Sequence, residues 1–182
     1  MAPQKDINLI LACTFKGGIG YKNKLPWYIP SELKKFKEIT STTLDPNKQN
    51  AVIMGRKTWE SLRYPLKGRK NIVLTRNTNY QVHHSDVETY SNTYDAMMFC
   101  NSCDDIETIF IIGGETIYSN ILNNNFFDIK SIYLSVMFHG DYRIDSYIDM
   151  FYLYSHFKLI PDKRYADEKN RREFASYICI PK

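Results

Sequence analysis

Eight short runs rich in β-branched and aromatic residues recur along the chain: INLILACT (7–14), NAVIMG (50–55), NIVLTR (71–76), DVETY (86–90), TIFIIG (108–113), SIYLSVMF (131–138), FKLIPDKRY (157–165) and EFASYICI (173–180). Most are continuously apolar rather than alternating, the pattern of strands covered on both faces. Helix-like segments fill several of the gaps: 31–40, starting at Ser31 with Pro30 before it, one from Arg56, 92–101 starting from Ser91 or Asn92, and 115–122 after Gly113-Gly114. Alternation of strand and helix to about residue 137 argues for parallel strands with helices on both faces. The last two strands have no helix between them and pair as an antiparallel hairpin. The predicted fold is α/β: one domain over 1–182, a mainly parallel eight-stranded sheet flanked by about four helices, with an antiparallel C-terminal edge strand. Such a sheet binds ligands beyond the carboxyl ends of its strands.

With 182 residues, 43% apolar and 24% charged, the chain suits one ordinary globular domain with a sizeable core. Met1 to Asp6 is polar and the apolar run after it is strand-length, unlike a secretory leader. No run approaches the length of a membrane span, so a soluble cytoplasmic protein with no membrane partner is expected. Cys100 and Cys103 form a C-x-x-C, but near the end of a predicted helix and with no second pair or His pair to complete a zinc site. No metal site is expected, and the four thiols read as incidental in a reducing compartment.

Charge is unevenly spread. Residues 1–80 carry 15 Lys and Arg against 5 Asp and Glu, whereas residues 81–182 carry 9 against 15. A basic half calls for an anionic partner. The cations are scattered, several at predicted loop or helix starts, rather than gathered in a run interleaved with aromatics. A small polyanion such as a nucleotide cofactor fits better than nucleic acid.

Two strand-to-helix turns and one strand end carry that reading. In IIGGETIY (111–118), glycines let a backbone approach a phosphate and helix-start N–H groups face it. A tight turn with no ligand looks the same, and the G-x-G-x-x-G spacing is missing. In MGRKTWESL (54–62), Arg56, Lys57 and Thr58 sit at a helix start, where cations oppose the helix dipole unless an anion is present. Thr75 and Arg76 end the strand NIVLTR. Three cations and two hydroxyls at neighbouring strand ends suit a pyrophosphate plus a further phosphate, which favours NADP over NAD. Arg69, just before that strand, has a guanidinium able to fork onto a carboxylate; a solvated Arg is the plainer reading.

The stretch GGIGYKNKLPWYIPSELKKF (17–36) adds a single acid, Glu32, on the first turn of a helix among Ile29, Leu33 and Phe36. A buried lone carboxylate needs donors, and a ligand presenting two parallel N–H groups would supply them.

Taken in order, GGIGYKNKLPW, the helix acid, VIMGRKTWESL, PLKGRKNIVLTR, IIGGETIY and IYLSV closely resemble dihydrofolate reductase over nearly the whole chain. Each motif alone is modest; together and in register they are specific. The resemblance implies that the loop from Gly20 to Trp27 covers the active site, with Ile19 and Leu25 lining it and Trp27 holding a water near Glu32. Glu32 would bind the 2-amino and N3 groups of the pterin. Ile10, Ala12, Leu33, Phe36, Ser61, Leu62 and Leu66 would wall the folate pocket. The carbonyls of Ile10 and Ile112 would meet antifolates, and Arg69 would clamp the α-carboxylate of the glutamate tail. Ser135 stands where a Thr is usual and keeps the hydroxyl that bonds the acid. For NADPH, the resemblance implies Gly55, Arg56, Lys57 and Thr58 at the phosphates and Thr75 and Arg76 at the 2′-phosphate. Leu74, Ala12 and the segment Gly113, Gly114, Glu115, Thr116, Ile117 and Tyr118 complete that side, with a cis peptide joining the two glycines. The implied protein is a monomer with dihydrofolate as substrate, antifolates as ligands and no obligatory nucleic acid.

One departure is RIDSYIDMF (143–151): Asp145 and Ser146 fit the family, while Tyr147-Ile148 replace its aromatic-Pro pair. That bears on lid movement rather than on the reaction. The sequence shows no thymidylate synthase extension, so the unfused form is expected. Two other readings compete. A same-fold pyrimidine reductase of riboflavin synthesis would not need Glu32 together with Pro26-Trp27 and Arg69. A degenerate nucleotide- or RNA-binding relative would have lost Glu32, Arg56 or Gly113-Gly114.

Overall fold

The computed structural model describes residues 4–124, 127–138, 140–167 and 172–182. In chain order the elements are β1 (Ile7–Thr14), β2 (Gly18–Gly20), α1 (Pro30–Ser41), β3 (Gln49–Gly55), α2 (Arg56–Ser61), β4 (Arg69–Leu74), β5 (Val87–Tyr90), α3 (Thr93–Ser102), β6 (Ile106–Ile111), α4 (Glu115–Leu122), β7 (Ile129–Met137), β8 (Ser146–Tyr147), α5 (Met150–His156), β9 (Phe157–Asp167) and β10 (Arg172–Pro181). Eight strands form one sheet in the order β5-β4-β3-β6-β1-β7-β10-β9. The pairings from β5 to β7 are all parallel. The expected hairpin forms, but its edge strand is β9 rather than the C-terminal strand, because β10 lies antiparallel between β7 and β9.

Side chains alternate across a strand, and β1 uses both faces. Ile7, Leu9, Leu11 and Cys13 enter a core built with Ala96, Met97 and Cys100 of α3, Tyr118, Ile121 and Leu122 of α4, and Leu153 of α5. Ile10 points the other way, into a core with Val52, Met54, Val73 and Phe110 that Phe36, Ile39, Trp59, Leu62 and Leu66 cover. A third cluster, Trp27, Ile29, Met137 and Phe174, closes the end near the hairpin.

Three further expectations are corrected among the described residues. There are five helices rather than about four, because α5 follows the departing loop; Asp149 caps it by accepting from Tyr152 N–H at 2.9 Å. Ser31 is not the cap of α1. Ile29, extended at φ −128° and ψ 100°, is the N-cap and Pro30 is the first helical residue, where its missing N–H costs nothing and its fixed φ suits the helix. Arg69 lies inside β4 rather than before it. No helix between β4 and β5 separates those parallel neighbours; a loop crosses instead. No described helix is long and apolar enough to cross a membrane.

Candidate active site

A cleft of about 780 Å³ runs across the carboxyl ends of the parallel strands, within the usual range for a small-molecule site. Its walls bring together Ala12, Ile19, Gly20, Leu25, Gly55, Arg56, Lys57, Thr58, Ser61, Leu74, Thr75, Arg76, Ile112, Gly114, Glu115, Thr116, Ile117 and Tyr118, all expected from sequence. Of the residues assigned to the cofactor side, Gly113 alone is absent from the wall. It lies behind, its carbonyl accepting from Gly55 N–H at 2.7 Å. The Gly113-Gly114 peptide is cis. Gly113 has φ +104°, and a Cβ there would stand 2.9 Å from the Tyr118 ring, so no other residue fits this turn.

Asn23 and Lys24 join the wall from the loop expected to cover the site, while Asn77, Ser91, Asn92, Thr93, Asn120 and Ser146 were not expected there. Ser91 to Thr93 had a signal. They follow β5 as Arg56 follows β3, and Asn92 caps α3 by accepting from Asp95 N–H at 2.9 Å.

Lys57 and Arg76 are exposed. Arg56 pairs with Glu60 at 3.1 Å and lies over the Tyr80 ring, 5.6 Å from its centroid. With the hydroxyls of Thr58 and Thr75 these make an anion-selective donor set. That is the chemistry phosphates need, so these residues fit a dinucleotide phosphate chain.

The remaining residues of the predicted folate wall, from β1, α1 and the segment after α2, lie outside that lining. Ile10 is buried, Phe36, Leu62 and Leu66 are half-buried against the same cluster, and Leu33 is exposed. Arg69 is not solvated: only 7% of it is exposed. Its Nη1 donates to Thr40 Oγ1 at 2.7 Å and its Nε to the Lys67 carbonyl at 3.1 Å. Thr40 in turn donates to the Phe36 carbonyl at 2.7 Å. Two anchors aim the fork, and no described carboxylate pairs with it.

Glu32 is the third residue of α1, only 6% exposed. Its N–H donates to the Ile29 carbonyl at 3.1 Å, which fixes the first turn. The helix dipole favours an acid there, yet burial dominates and lifts its carboxyl from the ordinary 4.5 to about 7. The Ser135 hydroxyl of β7 and the Lys35 ammonium pull the other way. Tyr118, also near Glu32, is buried; desolvation first, then the Glu32 charge, raise its pKa. Trp27 is 7% exposed and packs edge-on to Tyr142 at 5.2 Å. Its Nε1 is buried with no partner among the described residues, so it has a donor to offer.

The covering loop is tied to the departing segment. β2 pairs with β8 through Gly18 with Tyr147 and Gly20 with Ser146. Asp145 accepts from Lys22 N–H at 2.8 Å and donates its own N–H to the Gly20 carbonyl at 3.0 Å. Ile148 N–H donates to the Gly17 carbonyl at 2.8 Å.

Fold and cleft define a class: a mainly parallel α/β protein with a cationic groove at its strand ends and a buried acid beside it. The chain belongs to the dihydrofolate reductase family, whose model matches residues 6–179. It is 42% identical over 137 residues to the bifunctional dihydrofolate reductase-thymidylate synthase of Daucus carota, covering 66% of this chain and 24% of that one. It is 42% identical over 111 residues to a dihydrofolate reductase of Candida albicans, covering 59% of this chain and 56% of the relative. To a putative dihydrofolate reductase of Caenorhabditis elegans it is 43% identical over 131 residues, 68% of each. The matched region thus spans about a quarter of the bifunctional relative and about half of the Candida protein.

Proposed function

We propose that the protein reduces 7,8-dihydrofolate to 5,6,7,8-tetrahydrofolate with NADPH. The observation that carries this reading is the buried acid Glu32 standing in the same framework as the cationic cleft. When bound, NADPH supplies the hydride that passes from nicotinamide C4 to pterin C6. Arg56, Lys57, Arg76, Thr58 and Thr75 hold its phosphates, the extra 2′-phosphate falling to Thr75 and Arg76. Glu32 receives the 2-amino and N3 donors of the pterin, which offset the burial of its charge. Ser135 supports that carboxylate. Trp27 Nε1 orients water at the same edge, and water delivers the proton to N5. Ile10, Ala12, Leu33, Phe36, Leu62, Leu66 and Ile112 exclude bulk water around the ring, and Arg69 grips the glutamate carboxylate. Catalysis is then mainly positioning and electrostatics. We read the chain as one domain because the eight strands form one continuous sheet.

The test is oxidation of NADPH on adding dihydrofolate, with NADH in parallel. Turnover preferring NADPH is expected. A folded protein that binds NADPH without turning over dihydrofolate would point to another substrate.

A further inference from the structure

Lys35 follows Glu32 by three residues on α1, and side chains at that spacing are neighbours on a helix. Only 14% of its side chain is exposed. Its ammonium forms an ion pair with Asp162 of β9. The same carboxylate oxygen accepts from Ser176 Oγ of β10 at 2.8 Å. The ammonium also stands 5.4 Å from the centroid of the Tyr165 ring, which Lys163 approaches to 5.1 Å from its own Nζ. Tyr165 stacks on Phe174 with centroids 4.5 Å apart. Phe174 packs with Trp27 and Ile29, the residues that lead into α1. The hairpin therefore fixes both this cation and the helix turn that carries the acid.

Shape alone does not call for a charge at position 35. An apolar chain of equal length would cover the same surface, and taking an ammonium out of water is costly unless it is paired. Asp162 and Ser176 offset that cost on the hairpin side. One turn back on α1 lies Glu32, whose ionised form the Ser135 hydroxyl of β7 and the Lys35 cation favour against burial, with the neutral Tyr118 phenol of α4 also near it.

We propose that Lys35 is a positioning residue whose ammonium, held by Asp162 and Ser176 of the C-terminal hairpin, biases the buried Glu32 toward its ionised form in the ligand-free cleft. Asp162 moderates that field. The consequence for turnover rests on the pterin reading above; the consequence for Glu32 does not.

The test is a carboxyl ¹³C NMR titration of the ligand-free protein, with the Glu32 resonance assigned by Glu32→Gln. Lys35→Met raises the Glu32 midpoint by roughly one pH unit. Lys35→Arg, which keeps the charge, leaves it near the wild-type position. Asp162→Asn, which removes the opposing carboxylate, lowers it. An unmoved midpoint in Lys35→Met overturns the proposal. So does a shift of Lys35→Met and Asp162→Asn in the same direction, the signature of loosened packing. Should Lys35→Met not fold, the sign of the Asp162→Asn shift decides. The pH profile of kcat with dihydrofolate is read separately and moves with the NMR midpoint. Moved midpoints without any turnover uphold the role of Lys35 and count against the substrate.

Discussion

The Tyr118 phenol donates to the main-chain carbonyl of Ile10 at 2.8 Å, joining α4 to β1 at the back of the cleft. Tyr118 is 5% exposed, so a carbonyl that loses this donor is not compensated by solvent. Tyr118→Phe should lower stability by about 1–3 kcal/mol, read as a lower urea midpoint at an unchanged m-value. A midpoint equal to wild type would show that the bond contributes nothing net.

The buried acid gives stability a distinct pH dependence. Glu32 titrates near 7 in the folded protein against 4.5 for an ordinary glutamate. The folded state therefore holds the proton more tightly than the unfolded chain. This contribution is fully present below pH 4.5 and is lost as pH rises through about 7. The swing is on the order of 3 kcal/mol. Denaturant unfolding of the ligand-free protein should show that decline, and Glu32→Gln should flatten it.

Arg69 is fixed by Thr40 and the Lys67 carbonyl, and we propose that its remaining N–H groups take the substrate carboxylate. Arg69→Lys keeps the charge and loses the fork. KM for dihydrofolate should rise roughly 10–100-fold, matching the usual worth of a hydrogen bond to a charged group. Steady-state kinetics should show kcat little changed. A fall in kcat at constant KM would contradict the tail-binding role.

The covering loop depends on the segment that departs from the family pattern. Asp145→Ala removes the acceptor for Lys22 N–H. Gly17 stands at φ +81°, and a Cβ there would meet the Ile148 carbonyl oxygen at 2.5 Å, so Gly17→Ala breaks the same seam from the other strand. Both should lower kcat more than they raise KM for dihydrofolate if, as we propose, this loop closes over the site. Equal kcat in either variant would detach this seam from turnover.

The sheet was legible because its strands are buried on both faces and read as apolar runs. Boundaries moved by two residues where polar residues begin a strand, as with Arg69 and Lys70 in β4. The β2–β8 pair was not legible: three residues and two residues carry no periodicity, and only the fold brings them together. α5 had a signal in Asp149 before an aromatic run, but its aromatics are also strand formers. In the site, the acid, the glycine turn and the strand-end cations were visible as motifs. Asn77 and Asn120 were not, since polar loop residues look alike until the cleft is built. Nor was Lys35, whose partner Asp162 lies far along the chain.

The role of Glu32 is tested by initial-rate NADPH oxidation, followed by its near-ultraviolet absorbance, with dihydrofolate and either wild-type protein or Glu32→Gln. We predict turnover in the wild type and a loss on the order of 10²–10⁴ in kcat/KM in the variant, with NADPH binding retained. Equal turnover in the two proteins would contradict that role, because the buried carboxylate would then have no part in the reaction.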